Sequence, residues 1–276
     1  MTDADGGHGE HGGPEPAGLD RGQAQAWVRR WEAQQQVYLS DREDRFTTLI
    51  DAVEEAAGRP DPLVLDLGCG PGSLSVRLLD RLPRATVVAI DADPVLLALG
   101  RAAWAGRPGL RFARADLRVP GWAGALELGW PADAAISTTA LHWLTGPGLA
   151  AVYAEVASVL RPGGLLLDGD HLRGDTAHSP VLARLSRALL DRAERRHPAA
   201  DGTETWASWW QAVGADPALA GLLAQRQALE LETDHHGSPA GLLRTHVDAL
   251  RGAGFAEVGT LWQRGDNRLL CGVLAG

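Results

Sequence analysis

A short apolar strand that runs directly into a cluster of glycines constrains this chain more than any other feature. Leu63-Val64-Leu65 leads into Asp66-Leu67-Gly68-Cys69-Gly70-Pro71-Gly72, and a helical stretch from Ser73 to Leu82 follows. A glycine turn between strand and helix lets a ligand approach the backbone, which side chains would otherwise block. The alternation then continues. Thr86 to Ile90 reads as a second strand ending at Asp91, and Asp93-Pro94 opens a helix with proline in its first turn. Leu110 to Ala113 gives a third strand ending near Asp116, and Ala134-Ala135-Ile136 a fourth. A helix from about Leu149 to Leu160 leads through Arg161-Pro162-Gly163-Gly164 into the strand Leu165-Leu166-Leu167. Strands alternating with helices predict a mostly parallel sheet with helices on both faces.

The rhythm breaks after Asp170. Residues 172–237 hold helical stretches with Trp206, Trp209 and Trp210 and no convincing strand, so they read as an insertion on one domain. A helix from Pro239 to Leu250 and two strands, Ala256–Trp262 and Arg268–Leu274, resume the pattern and bring the strand count to seven. Ahead of the first strand, helices are expected from Arg21 to about Ala33 and from Asp41 to Ala57. Ser40 would be the N-cap of the second, and Phe46, Ile50 and Val53 lie along one of its faces. Residues 1–20, rich in Gly, Asp, Pro and His, predict a disordered tail on a single domain spanning 21–276.

Composition narrows the function classes. Apolar residues make up 45% of the chain, enough for a sizeable core. No run approaches the roughly 18 apolar residues of a membrane span, and the acidic, glycine-rich start does not resemble a signal peptide. Two cysteines, Cys69 and Cys271, do not suggest a disulfide framework, so the expected setting is cytoplasmic. Of the net charge of -9, five charges belong to the acidic residues of the first twenty positions, and no basic stripe suits a nucleic-acid backbone. All 26 basic residues are arginine. Schiff-base chemistry, a lysine base and a lysine-bearing phosphate loop are therefore impossible.

Three acids fall at successive strand ends: Asp66, Asp91 and Asp116. In open α/β sheets ligands bind beyond the carboxyl ends of the strands, so these carboxylates should meet in one crevice. A dinucleotide site wants a third glycine or alanine where this chain has Ser73, although Asp91, 21 residues after Gly70, would suit a ribose in either kind of site. Asp66 weighs more. A carboxylate just before the glycines would repel a pyrophosphate resting on the helix N-terminus. A ligand carrying an ammonium and a sulfonium, with no phosphate, fits instead.

The segment Val64 to Gly72 resembles the first motif of the class I S-adenosylmethionine-dependent methyltransferases. That resemblance implies a Rossmann-like α/β fold and S-adenosylmethionine as cofactor. It implies cofactor-binding roles for Asp66, Gly68 and Gly70, for Asp91 on the ribose hydroxyls with Ala92 beside the adenine, and for Asp116 and Leu117 at the adenine amino edge. Leu160 to Gly164 is similar to the turn before the family's fifth strand. Within the family, Tyr38-Leu39-Ser40-Asp41-Arg42 and Ser137-Thr138-Thr139-Ala140-Leu141-His142-Trp143-Leu144 resemble segments of the trans-aconitate methyltransferase group. There the N-terminal part closes over the cofactor and the second segment lines the transfer site, which adds Tyr38 and Thr138 to the expected contacts. Residues 172–237 do not match, and they would form a lid where the acceptor is chosen.

Methyl transfer to a hydroxyl or amine also needs a base, usually histidine. His142 and His171 follow the fourth and fifth strands at the ligand end of the sheet, and Asp170 precedes the second of them. Asp234-His235-His236 invites a metal reading, but adjacent histidines diverge on a strand or a helix, and no metal is expected. The tryptophans at 206, 209 and 210 would wall an apolar acceptor pocket. The expected partner is a small-molecule methyl acceptor, with no nucleic acid and no membrane, and the protein is expected as monomer or homodimer. Alternatives from other classes are a nicotinamide oxidoreductase, a non-methylating user of the cofactor such as a cyclase, and a binding protein that keeps the pocket without the reaction.

Overall fold

The computed structural model describes residues 19–38, 41–174, 179–196, 204–229, 231 and 241–276; the side chains of residues 37, 38, 193 and 194 also lie outside the description. Ser40, residues 1–18 and the segment 234–236 therefore fall outside it. Two helices come first, α1 (Arg21–Tyr38) and α2 (Arg42–Ala57). The alternating unit follows: β1 (Leu63–Leu67), α3 (Ser73–Arg81), β2 (Thr86–Asp91), α4 (Pro94–Ala103), β3 (Leu110–Arg114), β4 (Ala132–Thr138), α5 (Gly146–Val159) and β5 (Leu160–His171). Then come α6 (Pro180–Arg196), α7 (Trp206–Ala215), α8 (Ala220–Ala228), α9 (Leu243–Gly252), β6 (Phe255–Arg264) and β7 (Asn267–Leu274).

The seven strands form one sheet in the order β3-β2-β1-β4-β5-β7-β6. β1 to β5 pair in parallel, while β7 runs antiparallel to both β5 and β6. The sheet is thus mixed: a two-residue connection, Gly265-Asp266, closes β6 and β7 into a hairpin, which a parallel pair cannot use. β5 is also longer than the sequence implied. Arg161 to Gly164 lies inside it, as an irregularity where pairing jumps from Ala132–Leu160 to Ala134–Leu165.

Alternation along the strands splits the core between two faces. Leu63, Leu65 and Leu67 pack with Tyr153 and Val156 of α5 and Leu250 of α9. Val64, Val87, Leu165 and Leu167 pack instead on Phe46, Leu49 and Val53 of α2 and Leu74 and Leu78 of α3. A third cluster joins Trp27 and Val28 of α1 and Leu96 and Leu99 of α4 to Trp209 and Val213 of α7. Helices α7 and α8 thereby dock on α1 and α4.

One acid staples the opposite end. Asp133 is buried and accepts hydrogen bonds from the Leu63 amide at 2.9 Å, Arg59 Nη2 at 2.6 Å and Arg161 Nε at 2.9 Å. Burial alone would raise its pKa, but these donors outweigh it and hold the carboxyl below its usual range. Asp133→Ala leaves the Leu63 amide without a partner and loses two charge-assisted bonds, so chemical denaturation at neutral pH should show about 2–3 kcal/mol of lost stability. Because the folded-state pKa is depressed, this contribution is present above the ordinary carboxylate range and is lost as pH falls through the folded pKa. The gap between wild type and variant should therefore narrow in acid.

Candidate active site

The loop after β1 is a run of left-handed turns, with φ of 67° at Gly68, 55° at Gly70 and 86° at Gly72. A side chain at Gly68 would also collide with Ala140, since its Cβ would lie 2.3 Å from the Cβ of that residue. At Gly72 the obstacle is the Phe112 ring, 2.8 Å from the same position. Trp104 Nε1 donates to the Pro71 carbonyl at 2.9 Å and fixes the loop from behind. Glycine is thus required both for backbone sign and for the close approach of the segment after β4.

A cavity of about 640 Å³ opens above this loop. Gly68, Gly70, Asp91, Ala92, Asp116, Leu117 and Thr138 line it, as do His142 and His171, so most of the residues singled out from the sequence converge. Asp66 does not line it. It is buried one layer beneath, where Ser75 Oγ donates to its Oδ2 at 2.5 Å. Tyr38 ends α1 on the same side, but its side chain lies outside the described residues.

Each acid has a distinct setting. Asp91 accepts from the Gly70 amide at 2.8 Å on one oxygen and from the Asp93 amide at 2.9 Å on the other. Burial pushes its pKa up to about 6, against the pull of those amides. Burial, with the neighbouring Asp91 charge, pushes Asp66 up to about 7 despite the Ser75 bond. Asp116 is held below the usual carboxylate range by Arg118, whose Nε and Nη2 reach its two oxygens at 3.0 and 2.8 Å.

The facing wall is built by the segment after β4. Thr139 stands at φ 51°, a left-handed conformation uncommon for a branched residue and a sign of local strain. Beyond it a single 3-10 turn, Leu141–Trp143, carries His142 into the cavity wall. Its Nδ1 lies 2.7 Å from Oδ2 of Asp170, a fully buried acid near the end of β5. Burial works against protonation of His142, yet the charge and hydrogen bond of Asp170 prevail and raise its pKa above the ordinary value. His171 is the reverse case, because burial lowers its pKa despite Asp170.

Sequence reasoning missed several wall residues. Trp31 and Gln35 of α1 line the cavity, and so does Arg42, which donates to Glu32 at 2.6 Å. Arg226 of α8 reaches Asp93 Oδ2 at 2.6 Å while its guanidinium stacks 4.0 Å above the Trp210 ring. Arg45 is buried behind the wall, bonded to Thr138 Oγ1 and Asn267 Oδ1 at 2.6 Å each. A charged residue three positions after Arg42, on the helix face shared with Phe46 and Leu49, was the one available signal for it.

Strand order, a reversed β7 and a glycine loop facing a strand-end acid together define the class I methyltransferase architecture. Residues 64–164 match the family described as methyltransferase domain. A trans-aconitate 2-methyltransferase of Azoarcus sp. strain BH72 is 34% identical over 136 residues, 49% of this chain and 49% of that protein. One from Methylobacterium nodulans is 30% identical over 172 residues, 59% of this chain and 62% of the relative. The chain thus spans roughly half to three-fifths of the length of these curated relatives. An O-methyltransferase family protein from Burkholderia thailandensis shares the fold, with a TM-score of 0.52 at 20% identity over 93% of this chain and 63% of that one. Over the matched residues the chain is similar to methyltransferases, and S-adenosylmethionine is the cofactor that this similarity implies.

The cavity suits that cofactor on its own terms. Asp66 Oδ1 is buried beneath the loop without a hydrogen-bond partner among the described residues, an acceptor suited to an ammonium group. Calorimetry should show S-adenosylhomocysteine binding more tightly than NAD. Asp91→Ala should weaken S-adenosylhomocysteine by about 2–4 kcal/mol, because ligand hydroxyls and the Gly70 amide lose one charged acceptor. Unchanged affinity would leave Asp91 with the loop as its sole role.

Proposed function

We propose that this chain transfers the methyl group of S-adenosylmethionine to a hydroxyl or amine of a small molecule, with His142 as general base. The observation that carries this reading is the 2.7 Å contact of His142 with buried Asp170 in the wall of the cavity that also holds the glycine loop. In this reading Gly68 and Gly70 cradle the cofactor, with Asp66 beneath them. Asp91 takes the ribose hydroxyls, and Ala92, Asp116 and Leu117 flank the adenine. S-adenosylmethionine supplies an electrophilic methyl on a sulfonium, and in-line displacement makes positioning the main demand on the protein. Thr138 borders the transfer site, Asp170 holds the imidazole through Nδ1, and the imidazole takes the acceptor's proton at Nε2. His171, favoured neutral by burial, lines the same region.

The trans-aconitate relatives suggest a second reading, a carboxylate acceptor that needs no base. The cavity's arginines speak against a polyanion, because each lies on a carboxylate: Arg42 on Glu32, Arg118 on Asp116 and Arg226 on Asp93. Glu32, raised by burial but lowered further by Arg42 and Arg77, is held at about 2 and stays charged. Trp31, Trp143, Trp206 and Trp210 favour an apolar or aromatic acceptor. A small-molecule acceptor also fits a chain without a basic stripe, and no helix among the described residues is long and apolar enough to cross a membrane. Two buried free cysteines fit a reducing, cytoplasmic setting. A secondary-metabolic role would suit an acceptor of this kind.

His142→Ala should lower the methylation rate by about 10²–10⁴-fold while keeping cofactor affinity, as mass spectrometry of both products would show. The wild-type rate should fall as pH drops through a pKa above the ordinary histidine value, since the protonated imidazole cannot act as base. Asp170→Asn removes the charge that raises that pKa and should move this limb to lower pH. Full rate in His142→Ala on a hydroxyl or amine acceptor would sink the assignment.

We read α7 and α8 as a lid, because Trp206, Trp210 and Arg226 face the strand ends across the cavity and their helices interrupt the strand-helix alternation. Lids of this kind order when ligand excludes water. Amide exchange across α7 and α8 should slow when cofactor and acceptor are both bound, and unchanged exchange would identify a static wall.

A further inference from the structure

Behind the cavity wall β5 carries a second acid–imidazole contact. Residues 168 and 170 project to the same face of the strand, because side chains alternate. That face is shared with Leu166, which packs among α5 and α9 residues. Asp170 reaches forward to His142, while Asp168, two positions deeper, meets His246 of α9, with Nδ1 to Oδ2 at 3.1 Å. The same Nδ1 is 2.7 Å from the Tyr153 hydroxyl of α5. Asp168, His246 and Tyr153 are each fully buried.

A proton must reside in this contact. An imidazole nitrogen offers either one lone pair or one N–H. If Tyr153 donates to a bare Nδ1, that nitrogen stands lone pair to lone pair against a buried carboxylate unless Asp168 is protonated. If Nδ1 carries the hydrogen, it can serve both oxygens. The pair is neutral when Asp168 holds this proton, or when His246 holds it as an imidazolium with Nε2 also protonated; without that second imidazole proton the pair keeps one negative charge. Burial drives Asp168 toward its neutral form, and His246 pulls the other way.

We propose that Asp168 and His246 are positioning residues for His142, and that the proton they share sets the charge behind Asp170 and hence the proton affinity of the cavity imidazole. Among the described residues, charged and titratable groups approach from four elements. Arg45 approaches from α2, Tyr153 from α5, Asp170 and His171 from β5 itself, and Asp266 and Arg268 from the β7 end. The functional consequence rests on His142 acting as base; the electrostatic coupling does not.

Histidine NMR on the full chain with S-adenosylhomocysteine tests this by following His142 and His246 through pH. Asp168→Asn removes the anion that shares a strand with Asp170, and His142 should titrate about half to one pH unit lower. In the neutral pair, His246→Gln removes the imidazole whose proton offsets the carboxylate, so His142 should titrate higher by a similar amount. The double variant restores a hydrogen-bonding pair without charge, and its titration should return close to wild type. Shifts of the same sign in both single variants, or none, would overturn the proposal, since a merely structural role predicts no reversal and no cancellation. If the single variants do not fold, the wild-type spectrum decides. The His246–Asp168 proton should persist across the range in which His142 titrates, and its loss there would overturn the coupling. Opposite shifts combined with full activity in His142→Ala would keep this inference and remove the base assignment. Absent shifts would remove the inference whatever the rate.

Discussion

The hydrogen bond from the Gly70 amide to Asp91 holds the site together. Three left-handed glycines in five residues give a backbone that could adopt many other paths, and something must select one. Asp91 does so from the neighbouring strand, using its second oxygen to hold the Asp93 amide. Asp93 in turn caps α4 through the amides of Val95 and Leu96 and takes Arg226 on its other oxygen. A single line of bonds therefore runs from the loop after β1, through the end of β2, to the helices inserted after β5. Movement of the glycine loop and movement of α8 are mechanically connected.

What could be read from the sequence divides along physical lines. Strand ends, caps and the loop are local features: Asp93-Pro94 at the start of α4 and the glycines after β1 carry their geometry in neighbouring residues. Parallel topology then places Asp91 and Asp116 at one edge without further information. Arg45, Asp168, Tyr153 and His246 could not be found this way, because their partners lie far along the chain and nothing near them announces the pairing. Tyr153 and His246, 93 residues apart, each read locally as ordinary positions on amphipathic helices. Reversal of β7 was equally hidden, since a strand's direction follows from its connection and not from its composition.

The buried charges are expensive. Arg45, Asp168, Asp170 and His246 could be replaced by apolar groups of similar size with little loss, and often some gain, in stability. Burial lowers the Arg45 pKa to about 10, even with two carboxylates nearby drawing it back up. Four such groups collected behind one wall of one cavity point to a cost borne for the chemistry of that wall.

Asp66 places a titratable proton beneath the glycine loop. Burial raises its carboxyl to about 7, which brings its titration toward the neutral range. A cation settling above the loop favours the ionised form, so its arrival expels a fraction of a proton. The charge of the site then changes by less than the charge of the ligand, and acid opposes the ligand from one layer beneath the cavity. Affinity for a cationic ligand accordingly drains away as the medium turns acidic, through a residue that does not face the cavity.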